Sequence, residues 1–137
     1  LRGCLESIAG GRSVTRRVIS ECDALGIKIP PGISPCRFLD LSYFMGEKWA
    51  KNIYKLVATA MGTFLAQIQS IFSLPVIVWK GTFAKKALAE MEETIRHIME
   101  KKLINPDWSN VEFRFSSDPE NDALIGAAAL FLQKIEK

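Results

Sequence analysis

The sequence is poor in the residues from which self-contained active sites are usually built. It contains one histidine, His97, and three cysteines that form no CxxC pair. A single histidine does not make a zinc motif, and three unpaired cysteines argue against a disulfide framework. There is also no Ser/His/Asp set and no DxD cluster. We therefore expect no complete catalytic centre, a surface position for His97, and small buried thiols at Cys22 and Cys36.

Long apolar runs and a strong charge of one sign are also missing. No apolar stretch reaches the roughly 18 residues of a membrane span and no signal peptide is visible, so we expect a cytoplasmic protein. The net charge of +3 comes from 18 basic and 15 acidic residues, and the basic pairs lie among acidic residues. This balance argues against nucleic-acid binding and is typical of solvated helix faces.

The length and the apolar periodicity predict one α/β domain over 1–137. In 47–72, apolar residues recur at three- and four-residue intervals, which predicts one long helix. The runs 75–79 and 111–115 are typical of a buried strand and a half-buried strand. Because a helix joins them, we expect a right-handed βαβ unit with parallel strands. The other predicted helices are a short one in 4–12, one capped by Ser13 and ended by Gly26, and those over 37–45, 83–102 and 122–137.

The apolar face of the 47–72 helix is unusually wide. Such a face needs cover on more than one side, as in a central helix or a subunit interface. A two-stranded sheet also leaves its edges open, so we expect a homo-oligomer formed through this helix. The methionines fall at apolar helical positions, and we expect all of them in the core: Met45, Met61, Met91 and Met99.

Two polar segments are candidates for ligand contacts. Residues 80–82, Lys-Gly-Thr, join the first strand to the next helix, where open α/β sheets bind ligands and helix-start amide groups favour anions. One glycine makes neither a GxGxxG nor a Walker pattern, so a plain structural turn is the alternative. The carboxylates Asp118, Glu120 and Asp122 precede the last helix, where favourable charge at a helix N-terminus explains them.

Several stretches, taken together in order, resemble the ROK family of sugar kinases and repressors. Residues 2–16, RGCLESIAGGRSVTR, look like the family's Gly-Cys-x-Glu stretch with its small-residue turn and following helix. Residues 46–53 and 61–68, GEKWAKNI and MGTFLAQI, are similar to its Gly-Asp-x-x-Ala opening and Leu-Gly-x-x-Leu-Ala helix. Residues 75–83, PVIVWKGTF, stand where the family has a strand running into Gly-Gly-Val, and 122–130, DALIGAAAL, resemble its closing helix.

The resemblance implies the C-terminal part of a ROK protein, a helix-rich piece of an actin-like, RNase-H-type lobe with a small parallel sheet. It implies that Glu6 hydrogen-bonds sugar hydroxyls and that Cys4 matches one ligand of a structural zinc. It also implies that Lys80, Gly81 and Thr82 lie against the nucleotide. ATP and Mg²⁺ follow from the resemblance alone, as the phosphoryl donor and metal of a complete hexose kinase.

Departures from the family pattern limit what the chain is expected to do alone. The other zinc ligands would lie upstream, so Cys4 alone cannot hold zinc tightly. Lys80 replaces the first glycine of the family's Gly-Gly, where it would either crowd a nucleotide or pair with a phosphate. Phosphoryl transfer needs a phosphate loop, a metal site and a general base, which in this family lie in the N-terminal lobe. Asn121-Asp122 looks like the catalytic Asn-Asp, but its position fits the closing helix.

The sequence therefore predicts the C-terminal lobe of a ROK-like sugar kinase that contributes sugar and nucleotide contacts but no catalytic residue. We expect a fragment or a trimmed chain, since the first residue is Leu1. One alternative is a homodimerisation module that has lost ligand binding. Another is a sugar-sensing piece of a repressor, although no helix-turn-helix is visible.

Overall fold

Helices dominate the fold, and the strands come late in the chain. The computed structural model describes residues 4–80, 82–105, 107, 110–115 and 121–135. Each predicted helix and strand is present, and the helix-rich α/β class with a small parallel sheet is confirmed. The elements are α1 Glu6–Ala9, α2 Gly11–Leu25, α3 Pro35–Phe44, α4 Lys48–Phe72, β1 Val76–Trp79, α5 Thr82–Lys102, β2 Glu112–Phe115 and α6 Asp122–Ile135.

The start of α2 differs from the prediction. We expected Ser13 to cap this helix, but α2 begins at Gly11 and its N-cap is Gly10. Gly10 has extended backbone angles, φ −68° and ψ 144°, and its carbonyl oxygen accepts a hydrogen bond from the Ser13 N–H at 2.9 Å. The backbone of Gly10 therefore starts the helix without a side-chain cap. At the other end Gly26 takes the left-handed conformation, φ 67°, as predicted.

The proline-rich loop leads directly into α3. The Ser34 hydroxyl accepts a hydrogen bond from the Arg37 N–H at 3.3 Å, which makes Ser34 the N-cap. Pro35 occupies the first helical position, where its missing N–H costs nothing. The helix therefore starts earlier than the predicted 37–45. It ends before Gly46, whose φ of 87° breaks the chain direction as expected.

The central helix of the packed core is α4. It has 25 residues and is therefore about 37 Å long at about 1.5 Å per residue. It contacts α1, α2, α3 and, most extensively, α5, which confirms the prediction of a long helix covered on more than one side. One continuous core results, formed by Val14, Val18, Cys22, Leu39, Trp49, Ala50, Ile53, Tyr54, Val57, Ala58, Leu65, Ala66, Trp79, Met91, Ile95, Met99, Leu103 and Val111.

Helices α4 and α5 approach closely at Gly62. A Cβ atom on Gly62 would lie 2.9 Å from the Ile95 carbonyl oxygen and 3.0 Å from the Ile98 Cβ. A larger residue would therefore push the two helices apart. This fit holds α5, and with it the end of β1 that precedes it, against the helical core.

The strands β1 and β2 pair in parallel, with Val76 opposite Glu112 and Trp79 opposite Phe115. The predicted parallel strands of the βαβ unit are confirmed. The expectation that β1 is fully buried is only partly right, because Trp79 is 8% exposed but Val78 is 64% exposed. Successive strand residues point to opposite faces, so one face of this strand is covered and the other is open.

The methionine prediction holds for three of four positions. Met91 and Met99 are 2% and 0% exposed, and Met61 packs against the core while half-buried. The prediction is wrong for Met45, which is 78% exposed because it occupies the C-cap of α3 at the surface. The expectation of a buried thiol is confirmed for Cys22, whose pKa is raised mainly by its burial, but Cys36 is only partly buried.

The last helix, α6, is apolar but has little cover. Leu124, Ile125, Phe131 and Leu132 are 70%, 57%, 65% and 60% exposed. Among the described elements, none makes an extensive contact with α6. No helix in the described part of the chain is both long and apolar enough to cross a membrane.

Candidate functional site

One candidate site is the edge at which both strands end. Because β1 and β2 are parallel, Trp79 and Phe115 lie side by side at their carboxyl ends. Helix α5 begins at Thr82, immediately after this edge, and Phe115 is 38% exposed there. The carboxyl ends of parallel strands, next to the start of a helix, are where open α/β sheets bind ligands. The predicted segment 80–82 therefore stands in the expected place.

The individual residues of this segment are described unevenly. Lys80 is exposed at the end of β1. Gly81 and the side chain of Thr82 lie outside the described residues. Asp122 begins α6, as expected for the closing helix, and its side chain and those of Asp118 and Glu120 also lie outside the described residues. The roles of Lys80, Gly81 and Thr82 thus remain predictions.

The sequence reasoning missed the residue that ties β2 to α5. Arg96 places its guanidinium over the Phe113 ring, 4.2 Å from the centroid, and donates to the Val111 carbonyl oxygen at 3.0 Å. Its Nε pairs with Glu92 at 2.7 Å. The Glu92/Arg96 spacing of i, i+4 is visible in the sequence, but its contact with β2 is not. His97, the neighbour of Arg96, is exposed, which confirms its predicted surface position.

The indole of Trp79 is buried on the covered face of the sheet. It packs edge-on against Phe113, with centroids 5.4 Å apart. Its Nε1 is buried and has no hydrogen-bond partner among the described residues.

The predicted sugar-contact residue, Glu6, lies in the first turn of α1 and is exposed. Its carboxylate folds back over Gly10, where a Cβ atom would clash with both the carboxylate and the Glu6 carbonyl oxygen. The Gly10 N–H donates to this carbonyl oxygen at 3.1 Å. Glycine at position 10 therefore lets the Glu6 side chain lie close to the chain, beside the start of α2.

The described residues around Cys4 include no further zinc ligands. This thiol is free and exposed, and its carbonyl oxygen accepts a hydrogen bond from the Ser7 hydroxyl at 2.6 Å. No group of three or more potential metal ligands occurs in the described residues. A structural zinc needs four ligands, so Cys4 and its described surroundings cannot supply the donor set.

Glu6 and Lys80 lie on elements that pack against different neighbours. Helix α1 packs on α2 and α4, whereas Lys80 follows a strand that pairs with β2. Within the described parts of the chain, α1 makes no extensive contact with β1, β2 or α5. Among the described residues, α1 and the end of β1 are therefore linked through α4 and α5 rather than by direct packing.

A groove runs along the outer side of α4. Its first part, about 330 Å³, lies between α1 and α4 and is lined by Leu5, Ile8, Leu56 and Phe64 together with small polar residues. Its second part, about 480 Å³, continues from Thr63 towards the end of α5. Leu56 and Phe64 are 38% and 40% exposed. This groove is the open portion of the wide apolar face predicted for 47–72.

Comparisons with known proteins agree with the resemblance seen in the sequence. The family model described as ROK family matches residues 1–134. The fold is similar to that of a ROK hexokinase from Thermus thermophilus, with TM-score 0.77, 24% identity, and coverage of 100% of this chain and 43% of that chain. It is also similar to a ROK family glucokinase from Streptomyces griseus, solved in complex with glucose and AMPPNP, with TM-score 0.71, 22% identity, and coverage of 95% and 45%.

No curated protein sequence matches this chain. The chain spans less than half the length of the two solved kinases. The likeness confirms the predicted fold, a helix-rich part of an actin-like lobe. From the match of the family model over nearly its whole length, the chain belongs to the ROK family.

Proposed function

We propose that this chain, as one domain over 1–137, forms one part of a ROK sugar kinase and contributes sugar and nucleotide contacts without being catalytically competent alone. The family match over 1–134 is the observation that carries the proposal. The solved glucokinase with the same fold binds glucose and AMPPNP, which supports a sugar and ATP as the ligands here. Use of ATP agrees with the cytoplasmic location predicted from the sequence.

In this proposal Glu6 binds the sugar. Its carboxylate is exposed and accepts hydrogen bonds only, which suits the hydroxyl groups of a hexose. The fold of α1 against Gly10 keeps the carboxylate beside the backbone at the start of α2.

The nucleotide lies against residues 80–82 at the carboxyl edge of the sheet. Lys80 is exposed at this edge, so its ammonium group can pair with a phosphate oxygen without clashing with the core. Amide groups at the start of α5 add favourable interactions with the same charge. Phosphoryl transfer further needs a phosphate-cradling loop, Mg²⁺ and a base that orients the sugar hydroxyl. The proposal assigns these to protein outside this chain.

An assay for phosphoryl transfer tests whether the chain alone lacks kinase activity. Purified chain is incubated with Mg²⁺, ATP and one of glucose, mannose, fructose or N-acetylmannosamine, and ADP release is followed by a coupled reaction. We expect no sugar-dependent ADP release above the blank. Sugar-dependent turnover that purifies with the chain, and that Glu6→Gln reduces, would overturn this part of the proposal.

The groove along α4 supports a second role, homodimerisation. Leu56 and Phe64 are exposed in it, and among the described lining residues only Lys102, at one end, is charged. An uncharged, helical groove suits a second copy of an uncharged helix face better than an acidic or basic partner. Sedimentation velocity is expected to give a dimer that Phe64→Glu converts to a monomer. A monomer at all concentrations would contradict this role.

A further inference from the structure

A second polar opening lies where α3, α4 and α5 meet. Its volume is about 230 Å³, and none of the predicted sugar or nucleotide contacts lines it. Ala58 and Met91 contribute apolar surface. The polar lining comes from all three helices, namely Tyr43, Lys51, Tyr54, Lys55, Glu90 and Thr94.

A hydrogen bond and a ring contact fix the aromatic side of this opening. Tyr54 is 5% exposed, and its hydroxyl donates to Asp40 Oδ1 at 2.5 Å. The Tyr43 ring packs against Tyr54 with centroids 4.5 Å apart, and Glu90 on α5 lines the same opening. Burial is the main cause that raises the pKa of both tyrosines, so both hydroxyls stay neutral. The wall is therefore shaped before any ligand arrives.

Two lysines supply positive charge to the same opening. Lys51 and Lys55 are one turn apart on α4, and like charges at this spacing repel one another. The structure gives neither ammonium group an ion pair with a described residue. Glu90, on the facing helix, lines the same opening. A ligand that is an anion would replace this repulsion with two attractive contacts.

We propose that the opening binds a small phosphate monoester that carries hydroxyl groups. The phosphoryl group lies between the ammonium groups of Lys51 and Lys55, and a ligand hydroxyl donates to Glu90. Lysine binds phosphate as a point charge, while a carboxylate repels bare phosphate and accepts from a hydroxyl. The volume is below the roughly 300–1,000 Å³ of pockets for drug-sized ligands, which suits a ligand of a few carbon atoms.

Glycerol 3-phosphate is the probe, titrated into the ¹⁵N-labelled chain and followed by backbone amide shifts. We expect saturable shifts around Tyr43, Lys51–Lys55 and Glu90–Thr94, and none with glycerol. The double variant Lys51→Gln/Lys55→Gln is expected to weaken binding at least about tenfold, because two charge-assisted contacts are lost. Its matched control, Lys28→Gln/Lys101→Gln, removes the same charge from exposed positions outside the opening and is expected to change affinity less than about twofold.

A second pair of variants tests whether Glu90 accepts a hydrogen bond from a ligand hydroxyl. Glu90→Gln removes the carboxylate and is expected to strengthen binding of inorganic phosphate, whereas Glu93→Gln, on the exposed side of α5, leaves it unchanged. The proposal is overturned if the shifts do not saturate or if both lysine double variants lose affinity equally, since either result means diffuse attraction. Equal affinity for sulfate and glycerol 3-phosphate would refute the role of Glu90.

Discussion

The helical core and the last helix differ in how much apolar surface they bury. Val18, Leu39 and Ile95 in the core are fully shielded, whereas Leu124 and Phe131 on α6 are 70% and 65% exposed. Fully burying a large apolar side chain contributes roughly 1.5–3 kcal/mol. The packed helices α2–α5 therefore supply most of the stability of this chain, and α6 adds little.

The residues proposed to contact ligands lie away from the best-packed region. Lys80 follows β1, which has one open face at Val78, and Glu6 lies on the exposed first turn of α1. The chain spans less than half the length of the similar kinases. Both α6 and β1 therefore present apolar faces that the described core does not cover.

The largest expected contrast is between truncations in the core and on α6. Ile95→Ala is expected to lower the free energy of unfolding by about 2–5 kcal/mol, because it leaves a cavity between packed helices. Leu124→Ala is expected to change it by less than about 0.5 kcal/mol, because the side chain is largely exposed. Urea denaturation followed by circular dichroism measures both. Similar losses for the two variants would mean that α6 is packed as firmly as the core.

A pair of glycine substitutions gives effects of opposite sign. Gly62→Ala is expected to destabilise by about 1–3 kcal/mol, because the added methyl group meets the Ile95 carbonyl oxygen at 2.9 Å. Gly126→Ala is expected to stabilise by about 0.4–1 kcal/mol, because the added methyl group would meet no described atom outside its own helix backbone and alanine favours the helix. Thermal unfolding curves give both values. Destabilisation by Gly126→Ala would indicate that α6 is covered in solution.

The smallest effect concerns pH. Burial first, and then Asp40, raises the pKa of Tyr54 well above its ordinary value, so the folded state holds this proton more tightly than the unfolded chain. The associated stability is complete below about pH 10, the ordinary tyrosine pKa, and is lost as the pH rises above it. Stability should therefore stay level up to about pH 10 and fall above it, and Tyr54→Phe should make this fall shallower. An unchanged slope would show that Tyr54 is not the group responsible.

The periodicity of apolar residues was enough to predict the helices and strands, but not which of their faces are buried by other segments. The three- and four-residue spacing located α4, and the β-branched run located β1, because local pattern dictates both. The exposed face of Val78 and the surface position of Met45 depend on which other segments pack there, which local pattern does not encode. The cap of α2 was misassigned because the backbone of Gly10 performs the task expected of the Ser13 side chain.

The same distinction between local pattern and packing applies to the candidate sites. Motif order placed Glu6 and residues 80–82 within a known family, and the structure puts the latter at the carboxyl edge of the sheet. The opening between α3, α4 and α5 could not be predicted. The spacing of Lys51 and Lys55 is visible in the sequence, but the position of Glu90 opposite them depends on how α5 packs.

Separate titrations of the chain with glucose and with AMPPNP, followed by amide shifts, test most directly whether it carries the two proposed contacts. We predict that glucose perturbs residues around Glu6, that AMPPNP perturbs residues around Lys80, and that Glu6→Gln and Lys80→Glu each abolish only the corresponding response. Absence of saturable shifts at both places, or loss of both responses from either substitution, would contradict the assignment.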